Sequence, residues 1–349
     1  MKDVNWSRYP SVEKIEWAHN WLILQKDLGL APATVDAYGR ALEDYLSFCN
    51  REDILAKDAK KNHVAQYVNY LTTLPREDLI HDNILEPIIG LANATIQQRL
   101  TAVRLAYDYL VEEGHRQTNP VGRGRFIAGR NFSPKQERGL VRRIHKLPWI
   151  PSETQWQSIL SVTQDESIRN RMMLALAYDA GLRREELCLL QTDDFDPSYR
   201  TVRIRAETTK GKRERIVVYS STTGSLLQNY LHHRQSISRS RGSLFLSESP
   251  RNYGMPITKW TWSKVVRKIA LEAEVPQFST HTLRHLCLTD LARSGWDLHE
   301  IAIFAGHRNL TTTMQYIHLS SRDLASKMAD SMTQIHAWRI QSLTAVEEG

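Results

Sequence analysis

Apolar residues recur at helical spacing through the first 113 residues of the chain. Residues 11–29, 33–49, 62–74 and 94–113 each carry apolar side chains three or four positions apart, which predicts an amphipathic helix in each segment. Pro10 precedes the first segment, and Gly114 follows the last, as is typical of helix starts and stops. Four helices in this region predict a small all-α domain over residues 1–118.

The connection between the third and fourth predicted helices, residues 75–93, is long for a loop without structure of its own. It carries the apolar pairs Leu79-Ile80, Ile84-Leu85 and Ile88-Ile89. Two interpretations stay open. The segment folds back on its own domain, or it contacts another protomer.

The second half of the chain combines helical and strand patterns. Helices are predicted at 153–163, 167–180, 222–234, 258–273, 281–294, 298–305 and 321–341. Residues 201–205 and 215–219 read as two strands joined by a basic, glycine-containing turn, which predicts a β-hairpin. We therefore predict a mainly α fold with a small antiparallel β-sheet (α+β), and a second domain over residues 151–349.

Charge is concentrated between the two predicted domains. Residues 119–147 hold eight Lys or Arg and one acidic residue, Glu137, so their balance of +7 equals the formal net charge of the whole chain. Gly and Pro within residues 119–150 indicate an interdomain linker. A basic linker can simply be solvated, but this composition favours contact with the phosphates of a nucleic acid. The candidate DNA-binding residues are Arg123, Arg125, Arg130, Arg142 and Arg143.

The sequence also argues against several classes of protein. It has no apolar run of membrane-spanning length and no signal peptide at its N-terminus. Cys49, Cys188 and Cys287 are odd in number and far apart, which fits neither a disulfide framework nor a metal-ligand cluster. We therefore expect a cytoplasmic protein without a metal or other cofactor, away from membranes.

Residues 281–316 hold four polar side chains suited to binding and attacking a phosphodiester. His281 and Arg284 are three positions apart, so on a helix they share one face. His307 follows an apolar run, and Tyr316 lies in a short segment after a Thr-rich turn. Arginine is a permanently charged, bidentate phosphate ligand, and tyrosine can act as a covalent nucleophile.

Two basic residues upstream complete this set. Arg183 follows a strongly apolar helix, and Lys210 lies in the turn of the predicted hairpin, where a flexible ammonium can reach a leaving oxygen. Lys212 is a rival to Lys210 within the same turn, and Arg184 is a rival to Arg183. The candidate catalytic residues, in chain order, are Arg183, Lys210, His281, Arg284, His307 and Tyr316.

The ordered set resembles that of the tyrosine recombinases of the phage-integrase family. Residues 180–187 (A-G-L-R-R-E-E-L) resemble the family's first box, T-G-L-R-x-x-E-L, and residues 210–216 (K-G-K-R-E-R-I) resemble its hairpin motif, K-G-x-x-x-R-x-V/I. Residues 281–285 (H-T-L-R-H) are similar to its H-x-L-R-H, residues 306–307 to its L-G-H, and residues 311–316 to its T-x-x-x-Y.

The resemblance covers residues 11–320, because the upstream helices are similar to the family's core-binding domain. Residues 34–42 resemble its T-x-x-x-Y-x-x-x-L motif, and residues 95–110 its last helix. The departures are Ala180 for a common Thr, Glu185 for a common Ser, and Phe304-Ala305 for Leu-Leu, and none falls on a catalytic position. The alignment of Gly-Leu-Arg favours Arg183 over Arg184.

The resemblance implies a mechanism without metal or ATP. Tyr316 attacks phosphorus to give a 3′-phosphotyrosine and a free 5′-hydroxyl, while Arg183 and Arg284 hold the non-bridging oxygens. His307 donates a further hydrogen bond to the phosphate. Lys210 protonates the 5′-oxygen, and His281 assists proton transfer at Tyr316, whose ordinary pKa near 10 makes such help necessary.

It also implies the partners. We expect double-stranded DNA core sites and a simple Xer- or Cre-like recombinase without an arm-binding domain, acting as an integrase, transposase or resolvase of a prokaryotic nucleoid or mobile element. A homo-tetramer is expected in the synapse, with exchange of the C-terminal tail between protomers. Packing of that tail on its own catalytic domain is the alternative. The tail carries one apolar stripe, formed by Leu324, Met328, Met332, Ile335 and Trp338.

Two other functions remain open at this point. A type IB topoisomerase-like enzyme shares the catalytic set, but the all-α N-terminal domain favours recombination. A non-catalytic DNA-binding factor on the same fold is the other alternative, and the complete set of candidate catalytic residues argues against it.

Overall fold

The computed structural model describes residues 4–74, 90–122, 140–141, 144, 147–209 and 211–320, with the side chains of the last helix described up to Tyr316. Several predicted features lie outside these residues: most of the 75–93 connection, all five linker arginines, Lys210 and the predicted helix 321–341. The chain divides into two compact units, Met1–His145 and Lys146–Gly349.

The first unit is all α in its described part. Its helices are α1 (Pro10–Lys14), α2 (Glu16–Asp27), α3 (Pro32–Arg51), α4 (Lys61–Thr73) and α5 (Asn93–Glu112). Their apolar faces meet in one core that includes Trp21, Leu42, Tyr45, Tyr67 and Tyr107.

The predicted helix 11–29 is two helices. Ile15 is extended, with φ −94° and ψ 109°, and separates α1 from α2. The carboxylate of Glu43 on α3 accepts the backbone N–H groups of Ser11 and Val12, at 2.8 and 3.0 Å. These bonds satisfy donors that are otherwise orphaned at a helix N-terminus and fix α1 as a separate element.

The predicted linker begins within the first unit. The Asn119 side chain donates to the Arg104 carbonyl oxygen at 2.9 Å and accepts from the Val121 backbone N–H at 2.8 Å. Val121 is buried in the core of this unit. Residues 119–121 are therefore part of a packed domain. The sequence predicted a linker here because glycine and proline are frequent in this stretch.

The second unit contains eight helices and three strands in its described part. The helices are α6 (Glu153–Thr163), α7 (Ile168–Asp179), α8 (Arg184–Cys188), α9 (Ser221–Ile237), α10 (Lys259–Glu272), α11 (Thr280–Arg293), α12 (Leu298–Ala305) and α13 (Thr311–Ser320). The strands β1 (Phe195–Asp196), β2 (Thr201–Ile204) and β3 (Arg215–Val218) form an antiparallel sheet in the order β1-β2-β3. The predicted mainly α fold with a small antiparallel sheet is confirmed.

Helix α11 is central to the second unit. It packs against α7, α10, α12 and α13. Its residues Leu283 and Leu288 are fully buried in the core. Burial of each such side chain contributes on the order of 1.5–3 kcal/mol. The polar residues of the H-T-L-R-H motif are thereby carried on a rigid element.

Tyr316 lies in a helix, whereas the sequence predicted a short segment after a turn. The side-chain oxygen of Asn309 accepts the Thr311 backbone N–H at 2.9 Å, and its carbonyl oxygen accepts the Thr312 N–H at 3.0 Å, which starts α13. Three successive threonines have low helix propensity, which is why the turn was predicted. Burial of Thr313 and Tyr316 outweighs that preference.

No helix in the described ranges is long and apolar enough to cross a membrane.

Candidate active site

Arg284 is a buried cation held between the ends of two helices. It is 1% exposed. Its Nη1 donates to the carbonyl oxygen of Gly181, just after α7, at 2.5 Å, and its Nη2 donates to that of Ala305, the last residue of α12, at 2.6 Å. Helix C-termini carry partial negative charge and unpaired carbonyls, so they stabilise a cation that water does not reach. Burial and the charge of Arg183 lower the pKa of Arg284 to about 10, so it remains charged at neutral pH.

Two glycines make this arrangement possible. Gly181 has φ +55° and Gly306 has φ +62°, the left-handed conformation that ends a helix without a side-chain clash. A Cβ atom at Gly306 would lie 3.1 Å from Cδ of Arg215, and one at Gly181 would lie 3.3 Å from the ring of Phe304. Gly306 therefore lets the Arg215 side chain approach the backbone closely, and Gly181 lets the Phe304 ring do so.

Arg183 is fixed by the carboxylate of Glu186. Glu186 Oε2 accepts the Arg183 backbone N–H at 3.0 Å, and Oε1 accepts from Arg183 Nη1 at 2.8 Å. Arg215 on β3 binds the same carboxylate with two bonds, at 3.1 and 2.8 Å, and its Nε donates to the Phe304 carbonyl oxygen at 3.0 Å. The buried carboxylate of Glu186 thus joins α8 to β3, and Arg215 joins β3 to the end of α12.

Electrostatics keep Glu186 ionised. It is 1% exposed, and burial alone would raise its pKa, but the hydrogen bonds and charges of Arg215 and Arg183 lower it to about 2. Its single negative charge faces the positive charges of Arg183, Arg215 and Arg284, so this part of the site is strongly positive and suited to an anion.

Arg184, the rival to Arg183, points to a different partner. Its Nη1 donates to Ser263 Oγ on α10 at 2.9 Å, and its guanidinium lies 5.7 Å from the ring centroid of Trp260. Arg183 instead directs Nη2 towards the Gly306 carbonyl oxygen, at 3.5 Å. The geometry favours Arg183 as the residue that belongs with Arg284.

His307 lies beside Arg284 and supports it. Its Nε2 is 3.0 Å from Arg284 Nη2, and its Nδ1 is 2.8 Å from Thr313 Oγ1. Arginine can only donate, so Nε2 is the acceptor and Nδ1 carries the proton of the neutral ring. Burial, then the charges of Arg284 and Arg183, lower the pKa of His307 to about 3. In this arrangement its N–H is directed to Thr313, and the predicted donation to a phosphate requires the ring to change partners.

Tyr316 is buried against two histidines. It is 2% exposed, its hydroxyl lies 3.0 Å from Nδ1 of His285, and its ring is nearly parallel to that of His307 at a centroid distance of 6.1 Å. Burial raises the pKa of Tyr316, although the charge of Arg284 opposes this effect. Burial, then His281 and Arg284, lower the pKa of His285 to about 4, so its ring is neutral and its Nδ1 can accept a hydrogen bond from the phenolic hydroxyl.

His281 lies one turn before His285 on α11. It is an exposed residue whose ring makes an edge contact with that of His285, at a centroid distance of 4.6 Å. Desolvation of the ring and the charges of Arg284, Arg183 and Arg184 lower its pKa. The sequence assigned proton transfer at Tyr316 to this residue, yet the hydroxyl of Tyr316 is bonded to His285.

The predicted acid Lys210 lies outside the described residues, whereas the next residue, Gly211, is described. A Cβ atom at Gly211 would lie 3.7 Å from Cδ of Arg308, the residue after His307. The rival Lys212 is exposed and has a left-handed backbone, with φ +48°. Gly211 therefore lies next to the segment that carries His307.

Sequence reasoning did not single out Glu186, Arg215, His285 or Thr313. Glu186 follows Arg183 by three positions, the spacing of a capping box, and this signal was available. Arg215 and His285 lie inside motifs that were recognised, but nothing in a single sequence assigned them partners. Among the described residues, no group of three or more His, Cys, Asp and Glu is placed to hold a metal ion.

The chain is similar to known proteins over most of its length. Residues 152–322 match the phage integrase family. The tyrosine recombinase XerC of Thermodesulfovibrio yellowstonii is 31% identical over 279 residues, covering 76% of this chain and 86% of that protein. The tyrosine recombinase XerD of Oceanobacillus iheyensis is 27% identical over 308 residues, covering 86% and 92%.

Two solved structures share the fold. The XerH site-specific recombinase bound to palindromic difH substrate, in a post-cleavage complex, matches with a TM-score of 0.64 at 20% identity and covers 84% of this chain and 79% of that one. The Tn1549 transposon integrase in complex with transposon right end DNA matches with a TM-score of 0.61 at 17% identity and covers 89% and 98%.

Proposed function

Because the chain belongs to the phage integrase family, as a tyrosine recombinase that cleaves and rejoins DNA at specific sites, we propose that Tyr316 is its nucleophile and that Arg183 and Arg284 hold the scissile phosphate. One observation carries this assignment. Both guanidinium groups contact the same turn. Arg284 donates a hydrogen bond to the carbonyl oxygen of Ala305, and Arg183 is directed towards the carbonyl oxygen of Gly306.

The arginines supply the charge that a phosphodiester needs in its transition state. As Tyr316 Oη forms a bond to phosphorus, the bond from phosphorus to the 5′-oxygen breaks, and negative charge increases on the non-bridging oxygens. Two fixed guanidinium groups stabilise that charge without reorganising. The product is a 3′-phosphotyrosine, and the bond energy is kept for religation.

Two other residues transfer protons in this proposal, and a third, His307, donates a hydrogen bond. His281 takes the proton of Tyr316, and Lys210 gives a proton to the departing 5′-oxygen. Gly211 lies beside Arg308, which supports the placement of the Lys210 turn near the phosphate. His307, bonded to Arg284 at 3.0 Å, orients that arginine and becomes a donor to the phosphate when its ring changes partners.

The buried position of Tyr316 supports a link between assembly and cleavage. At 2% exposure the hydroxyl cannot reach a phosphate in solvent, so Tyr316 moves before it attacks. We propose that DNA is bound as double-stranded core sites by a homo-tetramer, and that residues 321–349 pass to a neighbouring protomer. Solved structures of related recombinases with DNA support the DNA substrate.

We further propose that residues 1–118 form the core-binding domain, that the basic residues of 119–150 follow the DNA backbone, and that residues 151–349 form the catalytic domain. The similarity to Xer recombinases favours this assignment over a type IB topoisomerase-like enzyme or a non-catalytic DNA-binding factor.

Covalent capture tests the proposal. Wild-type protein and Tyr316→Phe are incubated with a library of nicked duplexes, in which the cleaved strand diffuses away, and adducts are isolated and sequenced. Wild type should form adducts on a defined sequence, and Tyr316→Phe should bind the same duplex and form none. Persistent adducts in the variant would refute the nucleophile, and the absence of strand exchange between two captured sites would favour the topoisomerase.

A further inference from the structure

The inner histidine of the H-T-L-R-H motif has a role that the proposed mechanism does not give it. His285 is half-buried, and its Nδ1 lies 3.0 Å from the hydroxyl of Tyr316, a direct hydrogen bond. His285 is carried by α11, whose neighbouring residues Leu286 and Cys287 are buried, so the acceptor is fixed to the core.

The two histidines of the motif offer the hydroxyl two successive partners. His281 and His285 are four positions apart on α11, and their rings are in contact at a centroid distance of 4.6 Å. His285 is half-buried and His281 is exposed. The two residues are separated by about one helical turn, roughly 5.4 Å along the axis of α11. Passing from one ring to the other would carry the hydroxyl from the core to the surface.

We propose that His285 is a positioning residue that holds the hydroxyl of Tyr316 in a buried resting position, and that Tyr316 becomes reactive when its hydroxyl leaves His285 for the side of His281. This inference rests on the proposed function, because it takes Tyr316 as the nucleophile. It differs in making the motif's second histidine a restraint on the reaction rather than a participant in the chemistry.

The expected strength of the restraint is modest. Both partners are neutral in the resting state, and such a hydrogen bond shifts an equilibrium by roughly two- to tenfold. A general base, by contrast, contributes about 10²–10⁴-fold to a rate. Removal of the hydrogen bond should therefore raise the reactivity of Tyr316 slightly if His285 is a restraint, and lower the cleavage rate strongly if His285 is a base.

The first test does not involve DNA. Tyrosines are nitrated with tetranitromethane, and each site is quantified by peptide mass spectrometry in wild type, His285→Phe and His285→Asn. In wild type Tyr316 should react far more slowly than Tyr199, which is 79% exposed. His285→Phe, which keeps a ring but no acceptor, should raise the nitration of Tyr316 by roughly two- to tenfold. His285→Asn, whose amide oxygen can replace Nδ1, should stay close to wild type.

The second test uses a nicked duplex that carries one binding site, so that no synapse forms. His285→Phe should give more covalent adduct than wild type, and His285→Asn should not. Loss of adduct in both variants, of the size found for His281→Phe, would overturn the proposal and make His285 a base.

Other outcomes also decide the matter. Equal nitration of Tyr316 and Tyr199 in the wild type would overturn the resting position even if a variant failed to fold. An unchanged nitration rate in a folded His285→Phe would overturn the restraint. Failure of wild type to form any adduct on duplexes that carry paired sites would count against the proposed function, whereas the nitration result would still stand as a test of His285.

Discussion

Glu186 and Arg215 form a buried two-bond ion pair, with Arg215 Nη1 and Nη2 lying 3.1 and 2.8 Å from the two carboxylate oxygens. The same carboxylate binds Arg183 at 2.8 Å. A residue proposed to touch the phosphate is therefore oriented by one that is 1% exposed. Stability and activity are linked at this point.

Glu186→Gln should destabilise the protein by about 3 kcal/mol, because it leaves two arginines without their counter-charge. The pKa of Glu186 is lowered from 4.5 to about 2. The stabilisation of the folded protein by its ionised carboxylate is therefore complete above pH 4.5 and is lost as the pH falls from 4.5 towards 2. Urea unfolding at pH 7 and pH 3 measures both effects. The difference in the free energy of unfolding between wild type and Glu186→Gln should be smaller at pH 3 than at pH 7.

Glu185→Gln is the matched control for that change. Glu185 is an exposed neighbour paired with Lys259, so its loss should cost less than about 1 kcal/mol. Equal destabilisation by the two variants would contradict a special role for the buried carboxylate.

Gly306→Ala should disturb the site beyond the backbone cost of the substitution. Both Gly306 and Gly295 have positive φ, and an alanine at either position costs about 1 kcal/mol. Only at Gly306 would the new Cβ meet Arg215, whereas nothing lies within 4 Å at Gly295. Thermal unfolding and covalent capture of both alanine variants should show a larger loss for Gly306→Ala. Equal losses would mean that Arg215 adjusts freely.

Arg284→Lys should slow cleavage by about 10²–10³-fold. A single ammonium cannot bridge the carbonyl oxygens of Gly181 and Ala305, which the two guanidinium nitrogens reach together. Arg293→Lys, on the same helix but paired at the surface with Asp290, should cleave like wild type. Single-turnover rates of adduct formation measure the loss in cleavage. Cleavage by the wild type should continue in the presence of EDTA. A strict requirement of cleavage for a divalent metal would contradict the arginine clamp.

Replacing Arg123, Arg125, Arg142 and Arg143 by Ala should weaken binding to every DNA sequence. If each arginine binds a phosphate, the slope of log K against log salt should decrease by about 0.9 for every phosphate that is no longer neutralised. Fluorescence anisotropy at several salt concentrations measures the slope. An unchanged slope would identify the linker as a tether.

Deleting residues 321–349 should leave binding to one site largely intact and abolish synapsis and recombination, if the tail passes to a neighbour. Analytical ultracentrifugation of intact and truncated protein on paired sites measures assembly. Tetrameric synapses formed equally well by the truncated chain would show that the tail packs on its own domain.

The sequence predicted most helices of the described residues because their apolar faces are periodic, and it singled out Arg183 and Arg284 because both stand in motifs that resemble those of the phage-integrase family. It missed α13 because three threonines disfavour a helix locally, whereas burial of Tyr316 is a property of the folded unit. It assigned proton transfer at Tyr316 to His281 and gave His285 no role. Which histidine contacts a tyrosine some thirty positions away depends on packing, and periodicity contains no record of it.

The two carbonyl oxygens that hold Arg284 also determine when, during synthesis of the polypeptide, this cation can be stabilised in the core. They belong to residues far apart in the chain, and the second is made available only when α12 has ended at Ala305. A nascent chain that has not yet emerged past α12 from the ribosome has the arginine but lacks its cradle, and a truncated translation product has the same defect. The buried charge of Arg284 can therefore be stabilised by both carbonyl oxygens only after synthesis has passed Ala305.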